Sequence, residues 1–193
     1  MARRKYEFRP DRTDSGILSK LYVTRQQRLS LLKWVLYIVL LLLLSIIQDV
    51  ILCRVRIFGT TTALVPCGIM LLCLLEGSHT GSIFVLIASA VYLFSGSAPG
   101  YYAVPMLTIV SLGLTMFRQG YLRKGFSATM LCMAVGLLVY ELAVFTAGLL
   151  LGRTTLSRLG AFCITAILTF GAAPLLYPIA QAISKIGGQT WKE

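Results

Sequence analysis

Glu141 has the clearest capacity for chemistry, because it is a single acidic side chain in the middle of a long apolar segment. An ionised carboxylate in an apolar medium is costly, and it usually has a buried partner or a function. No Lys or Arg lies at a comparable depth in this sequence. Two interpretations stay open: a protonated or hydrogen-bonded Glu141 that faces the interior of a helix bundle, or a contact with a substrate, a proton or a partner.

Other polar residues stand at the ends of apolar segments. Gln48 and Asp49 lie near the end of the first apolar run and precede two arginines, and Glu76 ends the second run shortly before His79, the single histidine. Charged residues at the ends of membrane segments usually pair with one another. We expect these side chains to serve as caps and ion pairs rather than as catalysts.

The sequence contains none of the patterns that enzymes use to activate a nucleophile or to bind a metal or a phosphate. A nucleophile elbow, a metal-binding cluster, a glycine-rich phosphate loop and a carboxylate pair within one segment are missing, and one histidine cannot build a triad alone. The 5 cysteines are odd in number and scattered through apolar runs, which favours packing residues over disulfides or a zinc site. We predict a protein that is not an enzyme and uses no cofactor or metal.

Small residues recur on two apolar segments at spacings that suit close helix packing. In the third segment they form adjacent pairs seven residues apart, nearly two helical turns, so the pairs share one face. These pairs are Gly81-Ser82, Ala88-Ser89 and Ser95-Gly96. The fifth segment contains the motifs Ala143-x-x-x-Ala147 and Gly148-x-x-x-Gly152. We interpret both sets as internal packing faces; the alternative is a docking face for another membrane protein.

The elements that must carry these residues are membrane-spanning helices. Of the 193 residues, 57% are hydrophobic and 13% are charged, whereas a soluble domain has about 25% charged residues. Apolar segments lie at 31–52, 62–76, 81–96, 101–117, 127–151 and 157–180. The second and third are shorter than the ~17 residues of a usual crossing, so they cross a thinned bilayer or form one re-entrant pair. The predicted fold class is an all-α membrane protein with a bundle of six transmembrane helices.

Lys and Arg are concentrated on one side of this arrangement, which sets its expected orientation. Most of the 18 basic residues precede the first segment, follow the last, or lie with Arg118 between segments four and five. Cytoplasmic flanks retain positive charge, so we expect both termini in the cytoplasm. The chain then divides into a basic cytoplasmic tail at 1–30, a transmembrane domain at 31–186 and a short cytoplasmic tail at 187–193.

The net charge of +11 reflects this sidedness and contact with anionic lipid rather than nucleic-acid binding, because the basic residues flank a span. Ile17, Leu18, Leu21 and Tyr22 recur at helical spacing in the tail. Such a stretch can form a helix on the membrane surface. Contact of the tail with a cytoplasmic partner is a further hypothesis.

Residues 95–100 connect segments three and four through the uncharged sequence Ser-Gly-Ser-Ala-Pro-Gly. Gly and Pro allow a chain reversal at little steric cost. Tyr101 and Tyr102 follow, and tyrosine favours the headgroup level of a membrane, so anchoring at the interface is the expected role. The alternative is that both tyrosines line a small-molecule pocket with Glu141.

The order of these features resembles the MreD family, the small multi-pass membrane component of the bacterial rod-shape system. The similar residues lie within 31–186. They are Gln48, Ile57-Phe58-Gly59, Glu76-Gly77 followed by Gly81, the turn at 95–100, and the segment from Pro174 to Pro178. The family often has an acidic residue just before the Ser-Gly turn, whereas this chain has Tyr92. Any role of that acid is therefore not transferred to this chain.

The resemblance implies a noncatalytic scaffold in the bacterial cytoplasmic membrane. Such a scaffold binds an MreC-like single-span protein and links MreB-like filaments, directly or indirectly, to peptidoglycan synthesis during cell elongation. It also contacts other membrane proteins of the elongation complex. The partner or pocket candidates in this chain are the small residues of segments three and five together with Tyr92, Tyr101, Tyr102 and Glu141.

A second function stays open because MreD is similar in fold to the solute-binding membrane subunits of energy-coupling-factor vitamin transporters. In those subunits the first helix usually bears an Ala-x-x-x-Ala surface for the coupling subunit. The first apolar segment of this chain, at 31–52, contains no alanine. The sequence therefore favours the scaffold over the transporter subunit.

Overall fold

The computed structural model describes residues 25–52, 54, 60–122 and 125–186. This part of the chain forms six α-helices: α1 (Arg25–Ile46), α2 (Leu64–Glu76), α3 (Ser78–Phe94), α4 (Ala103–Tyr121), α5 (Phe126–Leu150) and α6 (Leu159–Ser184). A π-helical turn at Ile47–Leu52 extends α1, and a 3-10 turn at Leu156–Arg158 precedes α6. For the described residues, the prediction of an all-α protein with six helices is confirmed, and six membrane crossings stay a prediction. Most of the basic tail, residues 187–193 and Ile57-Phe58-Gly59 lie outside the described residues.

α2 is the central helix of the bundle and the shortest of the six. It contains 13 residues, which corresponds to about 20 Å, and it packs against each of the other five helices. All of its residues except Leu75 are buried. The apolar run at 62–76 therefore faces protein rather than lipid, so its length does not have to match ~30 Å of hydrocarbon.

Contacts at the helix ends show that successive helices run in opposite directions. Lys33 in α1 contacts Glu76 at the end of α2, and Arg118 in the last turn of α4 contacts the same end of α2. At the other end of the bundle, Asp49 after α1 contacts Ser97 after α3. We refer to these two ends as the Lys33 end and the Asp49 end.

Three helical segments are long and apolar enough to cross a membrane: Arg28–Leu52, Phe126–Leu150 and Leu156–Ser184. Large apolar side chains also cover the outward faces of the bundle. Ile109 on α4 and Leu175 on α6, for example, are 67% and 73% exposed. An exterior of this kind is typical of a membrane protein and unusual for a soluble monomer.

Side chains from two other helices accept hydrogen bonds from the backbone N–H groups at the start of α2. The backbone N–H of Val65 donates to Gln48 Oε1 at 2.9 Å, and the N–H of Ala63 donates to Thr169 Oγ1 at 3.0 Å. The first N–H groups of a helix have no partner within the helix, and buried ones are costly to leave unpaired. Gln48 and Thr169 therefore allow α2 to begin inside the bundle.

Arg118 donates a hydrogen bond to the backbone at the C-terminal end of α2. It lies within α4 and not in the connection between α4 and α5. α4 continues to Tyr121, and Arg118 is only 6% exposed. Its guanidinium donates to the carbonyl oxygen of Leu74 in the last turn of α2. A positive charge at this position also complements the helix dipole. The prediction that Arg118 lies in the connection between segments four and five is wrong, because α4 extends past the end of the apolar run.

Replacing Arg118 with Met should lower the free energy of unfolding by about 1–3 kcal/mol. Met retains most of the side-chain volume but donates no hydrogen bond, so the buried carbonyl of Leu74 loses this donor. Thermal unfolding of the purified protein in detergent measures the change. Lys185→Met, at an exposed position after α6, is the control and should leave the midpoint unchanged. Equal midpoints for the two variants would show that α2 does not depend on Arg118.

Candidate functional site

A polar cavity of about 420 Å³ lies at the Asp49 end of the bundle. It is formed by the end of α1, the segment before α2, α3 with its following turn, the second half of α5 and the start of α6. The polar lining consists of Gln48, Thr60, Thr61, Thr62, Tyr92, Ser97, Tyr140, Glu141 and Thr165. This volume falls within the range of about 300–1,000 Å³ that is usual for small-ligand sites.

Glu141 enters this cavity from α5. The residue is only 7% exposed. Among the described residues, no group donates a hydrogen bond to its carboxylate and no Lys or Arg forms an ion pair with it. The structure therefore buries Glu141 at a cavity wall without supplying a counter-charge from the described part of the chain.

Two hydroxyl groups in the same lining also make no hydrogen bond with any described residue. They belong to Tyr140, which precedes Glu141 on α5, and to Thr62, just before α2. Tyr140 is only 2% exposed. Buried polar atoms in native proteins are almost always hydrogen-bonded. The two hydroxyls and the Glu141 carboxylate are therefore buried polar groups of lining residues without a hydrogen-bond partner among the described residues.

The tyrosines that line the cavity are not Tyr101 and Tyr102, the pair that the sequence suggested as pocket residues. Tyr92 lines it from α3 and donates a hydrogen bond to the carbonyl oxygen of Ser97 at 3.2 Å. Tyr101 is 63% exposed, and neither Tyr101 nor Tyr102 belongs to the described lining. The described lining therefore contains Tyr92 and Tyr140 rather than Tyr101 and Tyr102, both of which lie in the turn before α4.

Asp49 holds the turn at 95–100 against the end of α1. The Ser97 hydroxyl lies 2.8 Å and 2.9 Å from the two carboxylate oxygens of Asp49. Gly96 has a φ of 78°, the left-handed conformation that commonly follows the end of a helix. An acidic group therefore reaches this turn from α1. The contact fixes one wall of the cavity.

A buried ion pair lies at the Lys33 end of the bundle. Lys33 Nζ is 2.5 Å from Glu76 Oε1, and the hydroxyl of Tyr37 also donates to Glu76. Lys33 and Glu76 are 4% and 3% exposed. The rings of Trp34 and Phe84 pack against the ring of Tyr37, with centroids 6.0 Å and 5.8 Å away. This cluster joins α1 to α2.

An apolar groove of about 370 Å³ runs along the exterior between α1 and α3; we refer to it as the α1–α3 groove. α1 contributes Trp34, Ile38, Leu41, Leu42 and Ser45, and α3 contributes Ile83, Phe84, Ile87, Ala88, Val91, Tyr92 and Ser95. These positions recur every three or four residues, as one face of each helix does. Ile38 and Ile87 are 54% and 61% exposed, so the groove is open to the surroundings of the protein.

The small residues of α3 divide between the bundle interior and this groove. A Cβ on Gly81 would lie 3.0 Å from the backbone oxygen of Cys73, so Gly81 permits close approach of α3 to α2. Ser89 is fully buried, whereas Ala88 and Ser95 line the α1–α3 groove. Internal packing therefore applies to Gly81 and Ser89, whereas a docking face at Ala88 and Ser95 stays a prediction.

Replacing Gly81 with Leu should lower the free energy of unfolding by about 1–3 kcal/mol, because the added side chain meets the backbone of α2. Ser82→Leu is the matched control, since Ser82 is the next residue and is partly exposed. That variant should stay within about 0.5 kcal/mol of the wild type. Thermal unfolding in detergent compares the two. Similar losses in both variants would contradict a specific contact at Gly81.

The glycines near the end of α5 form a chain reversal rather than a helix-packing motif. α5 ends at Leu150, and Gly152 lies in the following turn with a φ of 66°. A Cβ on Gly148 would lie 3.1 Å from the Thr154 hydroxyl, so Gly148 packs against this turn. Interpreting Gly148-x-x-x-Gly152 as one helix face is wrong for this reason. Ala143 and Ala147, the other predicted motif, are partly exposed.

Comparisons with protein-family models, curated proteins and solved structures find no match to this chain. In the parts of the chain that the structure describes, no group of three His, Cys, Asp or Glu residues could hold a metal ion. Fold and site together define an all-helical protein with helices of membrane-spanning length, a polar cavity at one end and an apolar groove on its exterior. The function is inferred from the cavity and the groove.

Proposed function

We propose that the protein is a noncatalytic scaffold of the bacterial cell-elongation machinery, similar to MreD. In this proposal all six helices cross the cytoplasmic membrane, with α2 crossing as the core of the bundle, and both termini face the cytoplasm. The alternating directions of the helices and the basic residues around 1–30 support this topology. The Lys33 end then faces the cytoplasm and the Asp49 end faces outward.

The observation that carries the scaffold function is the α1–α3 groove, which suits a transmembrane helix. Its walls extend from Trp34 to Ser45 on α1 and from Ile83 to Ser95 on α3. Eleven to twelve residue steps of helix correspond to about 17 Å, roughly half of the hydrocarbon thickness. Two helices that run side by side over this length leave a straight apolar channel, and the single span of an MreC-like protein would lie along it.

The chemistry of the groove suits helix association inside a membrane. Lipid provides no hydrophobic driving force, so helices associate through close packing and hydrogen bonds between them. Ala88 allows a partner backbone to approach α3, and Ser45 and Ser95 place hydroxyl groups at the Asp49 end of the groove. Through the MreC-like protein, the scaffold would connect MreB-like filaments to peptidoglycan synthesis and to other membrane proteins of the elongation complex.

Copurification of the tagged protein with an MreC-like single-span protein tests this proposal. The double variant Ile87→Trp with Val91→Trp fills the groove with large apolar side chains, which are compatible with a lipid environment. It should reduce the amount of partner retained at least about tenfold, as loss of a binding hot spot does. Controls are Ile109→Trp on α4 and Ile167→Trp on α6, at positions that are 67% and 65% exposed. Both should retain the partner.

Two results would count against the proposal, and they are distinguishable. If all variants retain the partner equally, the α1–α3 groove is not where the MreC-like span binds. If the wild-type protein retains no MreC-like partner under any condition, the scaffold function itself is wrong.

The polar cavity favours the rival function, the solute-binding subunit of a vitamin transporter. The rival predicts that the purified protein retains a vitamin-sized molecule and associates with a membrane coupling subunit and ATPase subunits, but not with an MreC-like protein. α1 contains no alanine, so it lacks the surface by which such subunits usually contact their coupling partner. This absence supports the scaffold as the main proposal.

A further inference from the structure

We propose that the polar cavity at the Asp49 end binds an organic cation with N–H donors, and that a primary ammonium fits it best. Glu141 is the counter-ion of this cation. This inference goes beyond the scaffold function. It does not depend on the α1–α3 groove, which is an apolar surface on the exterior of the bundle.

The charge of the cavity points to a cation. Glu141 is the charged residue among the described residues of the lining, and no lining Lys or Arg opposes it. Asp49 adds a second negative charge at the same end, although it is exposed and bonded to Ser97. A carboxylate that is buried in an apolar bundle interacts strongly with an opposite charge, because the local dielectric constant is low.

The hydrogen-bonding groups of the cavity point to an ammonium. The Glu141 carboxylate, the Tyr140 hydroxyl and the Thr62 hydroxyl can all accept hydrogen bonds, and within the described chain none of these groups has a donor. A primary ammonium carries three N–H donors and no acceptor. An ammonium can therefore pair with acceptors of this kind, whereas a carboxylate or phosphate ligand would face Glu141 with a like charge.

The size of the cavity points to an organic ligand rather than a bare metal ion. Its volume of about 420 Å³ is more than ten times the ~30 Å³ that one water molecule occupies in the liquid. Phe162, Val144 and Ala161 supply an apolar part of the lining. They leave room for an alkyl chain, and an aromatic ring such as that of Phe162 also attracts cations.

Thermal unfolding and isothermal titration of the full-length protein in lipid nanodiscs test the inference. The probes are butylammonium and butylguanidinium at millimolar concentrations, the affinity range expected for ligands of this size. Butanol and butyrate are the neutral and anionic controls of equal chain length. We expect the two cations to raise the unfolding midpoint in a concentration-dependent way, the ammonium most, and the controls to leave it unchanged.

Three substitutions locate the binding. Glu141→Gln retains the shape of the side chain and should weaken butylammonium binding at least about tenfold, because a hydrogen bond to a charged group is lost. Tyr140→Phe should weaken it about two- to tenfold, since one hydrogen bond is removed. Val139→Leu, at a position of the same helix that is 46% exposed and outside the described lining, should bind butylammonium as the wild type does.

The natural cation can be a free solute or a lysine side chain of another protein, and a further probe separates these sources. Nα-acetyl-lysine methylamide, which keeps a free side-chain ammonium, represents a lysine within a polypeptide chain. Tighter binding than butylammonium would indicate a protein side chain, and weaker binding would indicate a free amine; both support the cation site. The inference is overturned if neither cation shifts the midpoint, if butanol or butyrate shifts it equally, or if Glu141→Gln binds butylammonium undiminished.

Discussion

Replacing Lys33 with Met should lower the free energy of unfolding by about 3–5 kcal/mol, the usual cost of removing one partner from a buried ion pair. The substitution leaves the Glu76 carboxylate in a site that is 3% exposed, without the ammonium group that lies 2.5 Å away in the native protein. Met fills most of the volume of the lysine side chain, so the loss is electrostatic rather than a packing defect. Thermal or chemical unfolding in detergent measures it.

The double variant Lys33→Met with Glu76→Leu separates the charge effect from packing. Replacing both partners of a buried ion pair by apolar groups is often neutral or stabilising. The double variant should therefore recover part of the loss, short by about 1–3 kcal/mol because the buried Tyr37 hydroxyl no longer has the Glu76 acceptor. Adding Tyr37→Phe should recover the part of this remainder that comes from the Tyr37 hydroxyl. A double variant as unstable as Lys33→Met alone would show that the pair is not the source of the effect.

The ion pair also bears on the proposed scaffold function, since it holds α1 against α2. α1 has mostly exposed large apolar side chains, and it forms one wall of the α1–α3 groove. At its other end, Gln48 and Asp49 connect it to α2 and to the turn after α3. A helix that packs lightly along its length is therefore held at both ends by polar contacts, which keeps the groove open between them.

The positions of the helices could be predicted because the apolar runs are long and are separated by turn residues. The predicted segment 81–96 corresponds to Ser78–Phe94, and 127–151 corresponds to Phe126–Leu150. The central position of α2 could not be predicted. The apolar run at 62–76 looks the same in sequence whether protein or lipid surrounds it, and only its shortness indicated an unusual position.

The polar contacts between helices were missed for a different reason. Tyr37 and Glu76 are 39 residues apart, and sequence reasoning placed Glu76 beside His79, its neighbour along the chain. A signal for the ion pair was present in Lys33, a single basic residue inside the first apolar run. Whether the Lys33 side chain faces lipid or protein depends on the rotation of α1 about its axis. That rotation depends on how the helices pack together.

The lining of the cavity could also be predicted only in part from the sequence. Glu141 was identified from sequence because one carboxylate in an apolar run is conspicuous, whereas Thr62 and Gln48 are ordinary residues at segment ends. Five elements meet at the cavity, so its lining is a property of the assembled bundle. Tyr92 lines both the cavity and the α1–α3 groove. A partner helix in the groove would therefore contact a side chain that also forms the cavity wall.

Replacing Glu141 with Leu should raise the stability of the ligand-free protein by up to about 3 kcal/mol, the scale of the cost of a charged side chain near the centre of a membrane helix. Among the described residues the Glu141 carboxylate has no hydrogen bond or ion pair to lose. Leu packs well in a helix and suits the apolar wall that Val144 and Phe162 already form. Thermal unfolding without added cation measures the change.

Val139→Leu is the control for the leucine itself, since Val139 is a largely exposed residue of the same helix, at 46%. It should leave the midpoint nearly unchanged, and Glu141→Gln should fall between the two. A stabilising effect at Glu141 means that the chain carries this carboxylate at a cost to its own folding, which is expected of a residue that serves binding. If Glu141→Leu instead destabilises the protein, the carboxylate contributes to the fold, and the cavity is built around a structural residue.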